Sequence, residues 1–308
     1  MRKIIVTTTI NAPTEAIIAF DAMKDYELIV IGDKKTPANY KIDRGLYLSP
    51  DDQEKKYKTL SDLLGWNCIQ RRNIGFLIAL EMGADIIATI DDDNIPMTEW
   101  GMNLTLGKPI IIKSFHPEEV VFDPIGATNY PSLWHRGFPI QIVSNRQYNN
   151  NEILTITPKI QADFWNGDPD IDAICRMLNK PNCIFDDTFF PFTTNVFTPF
   201  NSQNTFVDKS IMPYYFMFPG IGRLDDIWGA YFLQALTNER PIFCKASVYQ
   251  DRNVHDLTKD FTNELIGYEK TLPMLKELKN DPHSIYKYIP GRSVASYMEY
   301  KRIAESYL

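Results

Sequence analysis

The sequence predicts an α/β fold with a mostly parallel central sheet flanked by helices and followed by a C-terminal helical extension. Three observations carry this expectation. Short β-branched runs alternate with helix-period segments over the first hundred residues. A glycine closes the clearest helical segment immediately before a run of buried-strand character. The last fifty or so residues are rich in Lys and Glu and have helical spacing. At 308 residues the chain is long enough for one large domain or two small ones, and one unit with an added tail is the simpler reading.

The elements follow in order. Lys3 to Ile10 and Leu28 to Ile31 read as strands, and Thr14 to Met23, which follows a proline, spaces its apolar residues as a helix does. This is a βαβ start. Asn73 to Met82 reads as a helix closed by Gly83, and Asp85 to Ile90 as a buried strand. In such a sheet, ligands bind beyond the carboxyl ends of the strands. The stretch from about Gly101 to Gly222 is rich in Pro, Asn and aromatics, the composition of loops and small sheets that shape a pocket. A helix begins at Asp225, and the polar remainder after Asn253 reads as surface helices. No internal repeat or low-complexity linker interrupts the chain.

With 44% hydrophobic and 23% charged residues, disorder, collagen and coiled coil are excluded. A net charge of −7 argues against a nucleic-acid partner, since phosphate-backbone binders cluster Lys and Arg. It leaves room for a nucleotide, whose diphosphate one metal ion and a few local groups can hold. The four cysteines, Cys68, Cys175, Cys183 and Cys244, lack CxxC spacing, so a zinc site or disulfide framework is not suggested. The opening apolar run is too short for a signal sequence, and no stretch approaches the roughly 18 apolar residues of a transmembrane helix. A cytoplasmic protein is expected.

Four segments carry candidate chemistry. Asp91-Asp92-Asp93 stands where the buried strand Asp85–Ile90 runs out. Side chains alternate along a strand, so Asp91 and Asp93 share one side while Asp92 faces the other. Clustered carboxylates repel one another unless a cation compensates, and hard oxygen donors suit Mg²⁺ or Mn²⁺. A solvated turn leading into Pro96 is the plainer reading of the same residues. Arg71 and Arg72 stand at the start of the preceding helix, where fixed positive charge and free N–H groups favour a phosphate; a pair of solvated arginines would look alike. Gly75, in the first turns, permits a close approach. The segment Gly220-Ile221-Gly222-Arg223-Leu224-Asp225-Asp226 places two carboxylates before an apolar helix, either as caps or as a general base at a cleft. Last, Gln250 to Asp256 includes His255, which becomes a ligand only if it faces the aspartates. His116, His135 and His283 read as structural. Trp134, Trp165, Phe192 and Trp228 belong either to the core or to sugar-stacking surfaces.

In this order the four segments resemble nucleotide-sugar glycosyltransferases of the glycosyltransferase-A (Rossmann-like) fold. RRNIGFLIALEMGADIIATIDDDN is similar to that family's run of Arg-Asn, helix, Gly, buried strand and Asp-x-Asp, and GRLDDIWGAYF to its later acidic motif. TIDDD, GRLDDIW, and GFPIQIVSN followed by DFWNGDPDIDA resemble the reversibly glycosylated polypeptides, which include UDP-arabinopyranose mutases. RNVHDL with Gln250 resembles the STELLO-type glycosyltransferases. The match runs from about Lys3 to Asp260. It implies a catalytic domain over 1–260, with a nucleotide-binding half (1–100) and an acceptor half (101–260), and a helical extension over 261–308.

The resemblance implies a metal-dependent, inverting transfer from a nucleotide-sugar, expected to be a UDP-sugar, to a glycan or other hydroxyl acceptor. Asp91 and Asp93 would hold Mn²⁺ or Mg²⁺ on the diphosphate, with His255 as a late ligand and Asp92 toward the nucleoside or sugar. Thr8, Thr9, Ile10 and Asp33 would line the nucleoside site, and Arg71 and Arg72 the phosphate side. Asp226 would be the base that takes the acceptor proton. Asp225, about a quarter turn away at the helix start, would cap the helix or orient Arg223. Arg72 also falls where the reversibly glycosylated polypeptides carry a sugar-accepting arginine, but Asn-Ile-Gly follows it here and the neighbouring cysteines of that group are missing. A UDP-sugar mutase and a non-catalytic nucleotide-sugar-binding partner are the alternatives.

Overall fold

A computed structural model describes residues 1–250 and 256–308. In chain order the strands are β1 (Lys3–Thr9), β2 (Glu27–Gly32), β3 (Leu46–Leu48), β4 (Ile86–Ile90), β5 (Asn94–Pro96), β6 (Ile110–Phe115), β7 (Asn151–Ile156), β8 (Ile160–Gly167), β9 (Phe192–Thr194), β10 (Asn204–Asp208) and β11 (Ile242–Gln250). The helices are α1 (Glu15–Asp21), α2 (Pro50–Lys56), α3 (Lys58–Leu64), α4 (Arg72–Glu81), α5 (Ala173–Leu178), α6 (Asp225–Thr237), α7 (Leu257–Leu278) and α8 (Gly291–Glu305).

The chain is α/β, as expected, and its first hundred residues form the βαβ start with helix boundaries close to those the pattern predicts. Thr14 caps α1 by accepting the Ile17 N–H, which is why the apolar period starts there. α4 ends before Gly83, whose φ of +78° is the left-handed turn that favours glycine. Gly75 brings α4 down onto β1 and β2: a Cβ there would collide with Val6 and crowd Ile31. The close approach is thus to side chains of the sheet.

The sheet corrects one expectation. Its order is β3-β2-β1-β4-β10-β8-β11-β9-β6-β7, with β5 added against β11. The pairs β2–β3, β1–β2 and β1–β4 are parallel, but β10 runs antiparallel to both β4 and β8. β11 is parallel to β8 and antiparallel to β9 and β5. The sheet is therefore mixed rather than mostly parallel. The reason is that the central stretch, read from sequence as loops and small sheets, contributes β8 and β10 to the middle of the sheet, where their burial on both faces replaces solvent with core.

The tail also does more than cover a surface. Position 260 falls inside α7, and Met274, Leu275, Leu278, Tyr297 and Tyr300 are buried in the same core as the sheet. The Tyr300 hydroxyl donates to the Met212 carbonyl, and the Arg292 guanidinium to the carbonyls of Asp62 and Leu63 in α3. Polar composition hid this because the largest buried side chains of α8 are Tyr297 and Tyr300, each of which buries a ring and carries a hydrogen-bonding tip.

Candidate functional site

The carboxyl ends of β1, β2 and β4 open onto a cavity of about 310 Å³ lined by Thr8, Thr9, Ile10, Asp33, Arg71, Arg72 and Asp91 to Asp93, among others. Beside it lies a second cavity of about 400 Å³, lined by Gln70, Arg136, Ser202, Gln203, Asp225, Asp226 and Gln250. The two share Asn67, Cys68, Ile69, Asp91 and Asp93, so they form one cleft with the acidic turn at its centre. A larger cavity of about 700 Å³ runs along β5 and β11. Its buried carboxylate, Asp163, accepts from Gln161 and Ser247 at 2.8 Å each, a framework role that leaves the cleft as the site where reactive groups converge.

Asp91 to Asp93 lie in the turn between β4 and β5 and not in the strand itself, so strict alternation does not apply to them. Asp91 accepts from Arg72 Nη2 at 2.7 Å. Asp92 turns to the β1 side, accepting from Thr9 Oγ1 at 2.5 Å and Asn11 Nδ2 at 3.2 Å, while Thr14 Oγ1 donates to its carbonyl. Burial at the foot of the cleft raises the Asp91 carboxyl above its ordinary value; Arg72 opposes this, while Asp92 and Asp226 add to it. Among the described residues Arg72 is the cation that pairs with Asp91.

Arg71 and Arg72 are both buried, and their roles diverge. Arg72 Nη1 donates to the Ser202 carbonyl and Oγ at 2.8 and 2.9 Å, tying the start of α4 to the β10 side of the cleft. Thr8 Oγ1 accepts its Nη2 at 3.3 Å. Arg71 reaches away, donating to Gln53 Oε1, Ser61 Oγ and the Gly65 carbonyl, with its guanidinium 3.7 Å from the centre of the Trp66 ring. Burial among neutral partners pulls its pKa down to about 10. Arg71 therefore anchors α2 and α3 while lining the cavity. Asp33 is also largely committed: its oxygens accept the N–H groups of Lys34, Asn67 and Cys68 at 2.6, 2.8 and 3.1 Å, which shapes the 67–69 loop shared by both cavities. Ile10 and Ile69 form its apolar lips, 49% and 43% exposed.

The acidic pair at the start of α6 divides sharply. Asp226 accepts from Arg136 Nη1 at 3.2 Å, from the Ser202 N–H and Oγ at 3.0 and 3.1 Å, and from the Ile227 N–H at 2.9 Å. Arg136 is clamped in turn by Asp170, Nε to Oδ1 at 2.8 Å and Nη2 to Oδ2 at 2.9 Å. Burial alone would lower Arg136, but Asp170 and Asp226 more than offset it and hold the guanidinium well above its ordinary value. Asp225 accepts from Gln70 Nε2 at 2.5 Å and from the Asp226 N–H at 2.9 Å. Burial, then the adjacent Asp226, pushes its pKa up to about 7. The expectation that Asp225 orients Arg223 is corrected: Arg223 instead pairs with Asp260 at 3.4 Å and Glu264 at 2.9 Å in α7, because its side chain leaves the turn on the α7 side.

His255 lies outside the described residues. Among the described residues no three His, Cys, Asp or Glu side chains converge into an all-protein metal cage. Trp134, Trp165, Phe192 and Trp228 are buried and line neither cavity of the cleft, so they serve the core; Trp134 and Trp228 donate their indole N–H to Asp172 and Thr271. His135 is buried with Nδ1 at the Arg136 carbonyl, 2.7 Å away. Among the cleft residues that sequence reasoning did not single out are Gln70, Arg136, Ser202 and Gln203. Only Arg136 left a trace, as a cation inside the apolar run PSLWHRGFPI.

No family model matches the chain. Two curated proteins of Arabidopsis thaliana are similar to it: one named Probable glycosyltransferase STELLO1, 26% identical over 227 residues, and one named Probable glycosyltransferase STELLO2, 26% identical over 202 residues. The aligned parts cover 68% and 62% of this chain but only 29% and 26% of those proteins, so the chain spans less than a third of the relatives it matches. The sequence and the cleft thus lead to one coarse conclusion: this α/β chain is a distant relative of proteins named as glycosyltransferases.

Proposed function

We propose that this protein is a metal-dependent glycosyltransferase that moves a sugar from a nucleotide-sugar, a UDP-sugar in this reading, to a hydroxyl acceptor with inversion. The observation that carries the proposal is the two-part cleft joined at Asp91 and Asp93. The first part is built from residues 8–93 and takes the nucleotide; the second adds residues 136–250 and takes the acceptor. The reacting sugar would lie where they meet.

The donor set fits a hard divalent cation. Asp91 and Asp93 line both halves of the cleft, and burial raises the Asp91 carboxyl, an effect that a bound cation would offset. Mg²⁺ and Mn²⁺ are commonly held by one or two carboxylates together with substrate phosphates, so an all-protein cage is not required. When bound, such an ion supplies charge neutralisation for the departing nucleoside diphosphate. Arg72 positions Asp91, Thr9 and Asn11 position Asp92, and Asp33 holds the loop that carries Ile69. Ile10 and Ile69 offer apolar faces for a base or ribose.

For the base, the geometry supports Asp225 over Asp226. Asp226 already accepts from a guanidinium, a hydroxyl and two backbone N–H groups, so its oxygens are committed to the framework. Asp225 lines the acceptor cavity, carries one side-chain donor and sits near neutrality, where a general base is most effective. Asp226 then acts as a framework carboxylate that fixes Arg136 and Ser202. Transfer is favoured over the mutase alternative because Arg72, at 1% exposure, spends both Nη atoms on protein acceptors. The test is a UDP-sugar panel scored by UDP release, with Mn²⁺ and with EDTA, for wild type and Asp225→Asn. Metal-dependent release lost in Asp225→Asn supports transfer; release indifferent to both refutes it, and binding without release points to a non-catalytic partner.

A further inference from the structure

Asp225 is held by a neutral group. Arg136 contacts Asp226 and Asp170, and Arg223 faces Asp260 and Glu264. Among the described residues no ion pair reaches Asp225 itself. Burial and its anionic neighbour Asp226 raise its carboxyl, while Arg136 and Arg223 lower it through space without pairing with it; the buried Cys68 and Tyr215, whose own proton affinities burial has raised, also feel its charge. The side chain that does touch it is Gln70, Nε2 to Oδ2 at 2.5 Å.

Gln70 is only 8% exposed and stands in the 3₁₀ turn Ile69–Arg71. The next two residues fix that turn firmly: Arg71 is locked into Gln53, Ser61 and Gly65, and Arg72 into Asp91 and Ser202. The carboxamide therefore reaches Asp225 from a rigid base, across 155 residues of sequence. On the opposite side the Asp226 N–H holds Oδ1.

We infer that Gln70 is a positioning residue for Asp225: its amide pins the carboxylate in one orientation at the wall of the acceptor cavity without the loss of basicity that a cation in the same place would impose. This rests on Asp225 being the base. A guanidinium or ammonium at hydrogen-bonding distance stabilises the anion strongly and lowers a carboxyl pKa by about one to three units, whereas a like charge raises it. A neutral donor supplies the geometry with a far smaller electrostatic effect. Glutamine meets that requirement; lysine or glutamate at the same position would shift Asp225 in opposite directions.

The test uses that opposition. In the full chain labelled with ¹³Cγ-aspartate, with the Asp225 resonance assigned from Asp225→Asn, the titration of Asp225 is followed in wild type, Gln70→Lys, Gln70→Glu and Gln70→Leu. The acid limb of UDP release is followed in parallel on the UDP-sugar found active in the panel. Gln70→Lys is expected to move both midpoints down and Gln70→Glu to move both up, each by about a unit or more; Gln70→Leu is expected to lower turnover about tenfold with the donor KM unchanged. Gln70→Glu is nearly isosteric, so it answers even where the lysine variant misfolds. Unmoved midpoints in Gln70→Glu together with wild-type turnover in Gln70→Leu, with Asp225→Asn inactive, overturn the role of Gln70 and leave the base standing. Wild-type turnover in Asp225→Asn overturns the base and the role of Gln70 with it.

Discussion

Replacing Arg136 by Met is the sharpest probe of the framework behind the cleft. The guanidinium is 7% exposed and lies between Asp170, 0% exposed, and Asp226, 2% exposed. Methionine fills part of the volume but takes the guanidinium away from two buried carboxylates that keep only their other donors, and breaking a buried pair from one side costs about 3–5 kcal/mol. The sign of the pH dependence follows. A buried carboxyl that loses its cation is protonated more easily, so on the acid side of neutrality the folded variant should hold protons that the unfolded chain has released. Stability then falls as pH rises through that window, by up to about 1.4 kcal/mol per pH unit for each carboxyl. Urea unfolding at pH 5 and pH 8 should show a loss of about 3–5 kcal/mol at pH 8 and a smaller one at pH 5. Adding Asp226→Asn to the variant should recover part of the difference. A loss under about 1 kcal/mol at pH 8, below the range for a broken buried pair, refutes the reasoning, as does a larger loss at pH 5 than at pH 8.

Asp225→Asn should lower transfer about a hundredfold or more with donor binding nearly unchanged, measured by UDP release and by calorimetry with UDP. Asp226→Asn should instead lower the melting temperature, because it removes an anion from Arg136 and an acceptor from Ser202. UDP binding should require Mn²⁺ and fall at least tenfold in Asp91→Asn/Asp93→Asn; equal affinity with and without EDTA would remove the metal from the proposal. Asp172, buried and pushed up to about 7, keeps its proton on folding, so wild-type stability should decline from about pH 4 to about pH 7 and level off above. Asp172→Asn should flatten that decline, and an unchanged slope in thermal melts assigns it to other groups.

What was legible in the sequence was local. The Thr14 cap, the Gly83 stop, the β-branched run of β4 and the acidic turn after it each declare themselves within a dozen residues. β10 does not: five residues, Asn204–Asp208, include only two apolar ones, and their pairing with β4 spans more than a hundred residues. No short window can show that this strand enters antiparallel, so the mixed sheet was hidden. Gln70 was hidden for the same reason. A glutamine before two arginines has no local signature, and its meaning comes from a carboxylate brought close by the fold. The tail was misread because tyrosines on α8 count as polar in pattern while their rings are buried.

In the proposed reading Asp225 and Asp226 exchange the roles expected of them, and a local rule stops short of saying so. Consecutive residues at a helix start point about 100° apart, so the two meet different partners although both line the second cavity. Which partners each meets depends on the rotation of α6 about its own axis. That rotation is set by packing: a Cβ at Gly229 would strike the Phe216 carbonyl, and the Asp225 carbonyl takes the Phe218 N–H at 3.1 Å. Asp225 and Gly229 are four apart and so lie on one face, which the 216–218 segment holds in place. With α6 fixed in this way, Asp226 turns to Ser202 and Arg136, and Asp225 is left to Gln70 and the acceptor cavity. The sequence motif therefore marks the pair, and a glycine four residues later, pressed against a distant backbone, helps decide which member meets Arg136 and Ser202 and which meets Gln70.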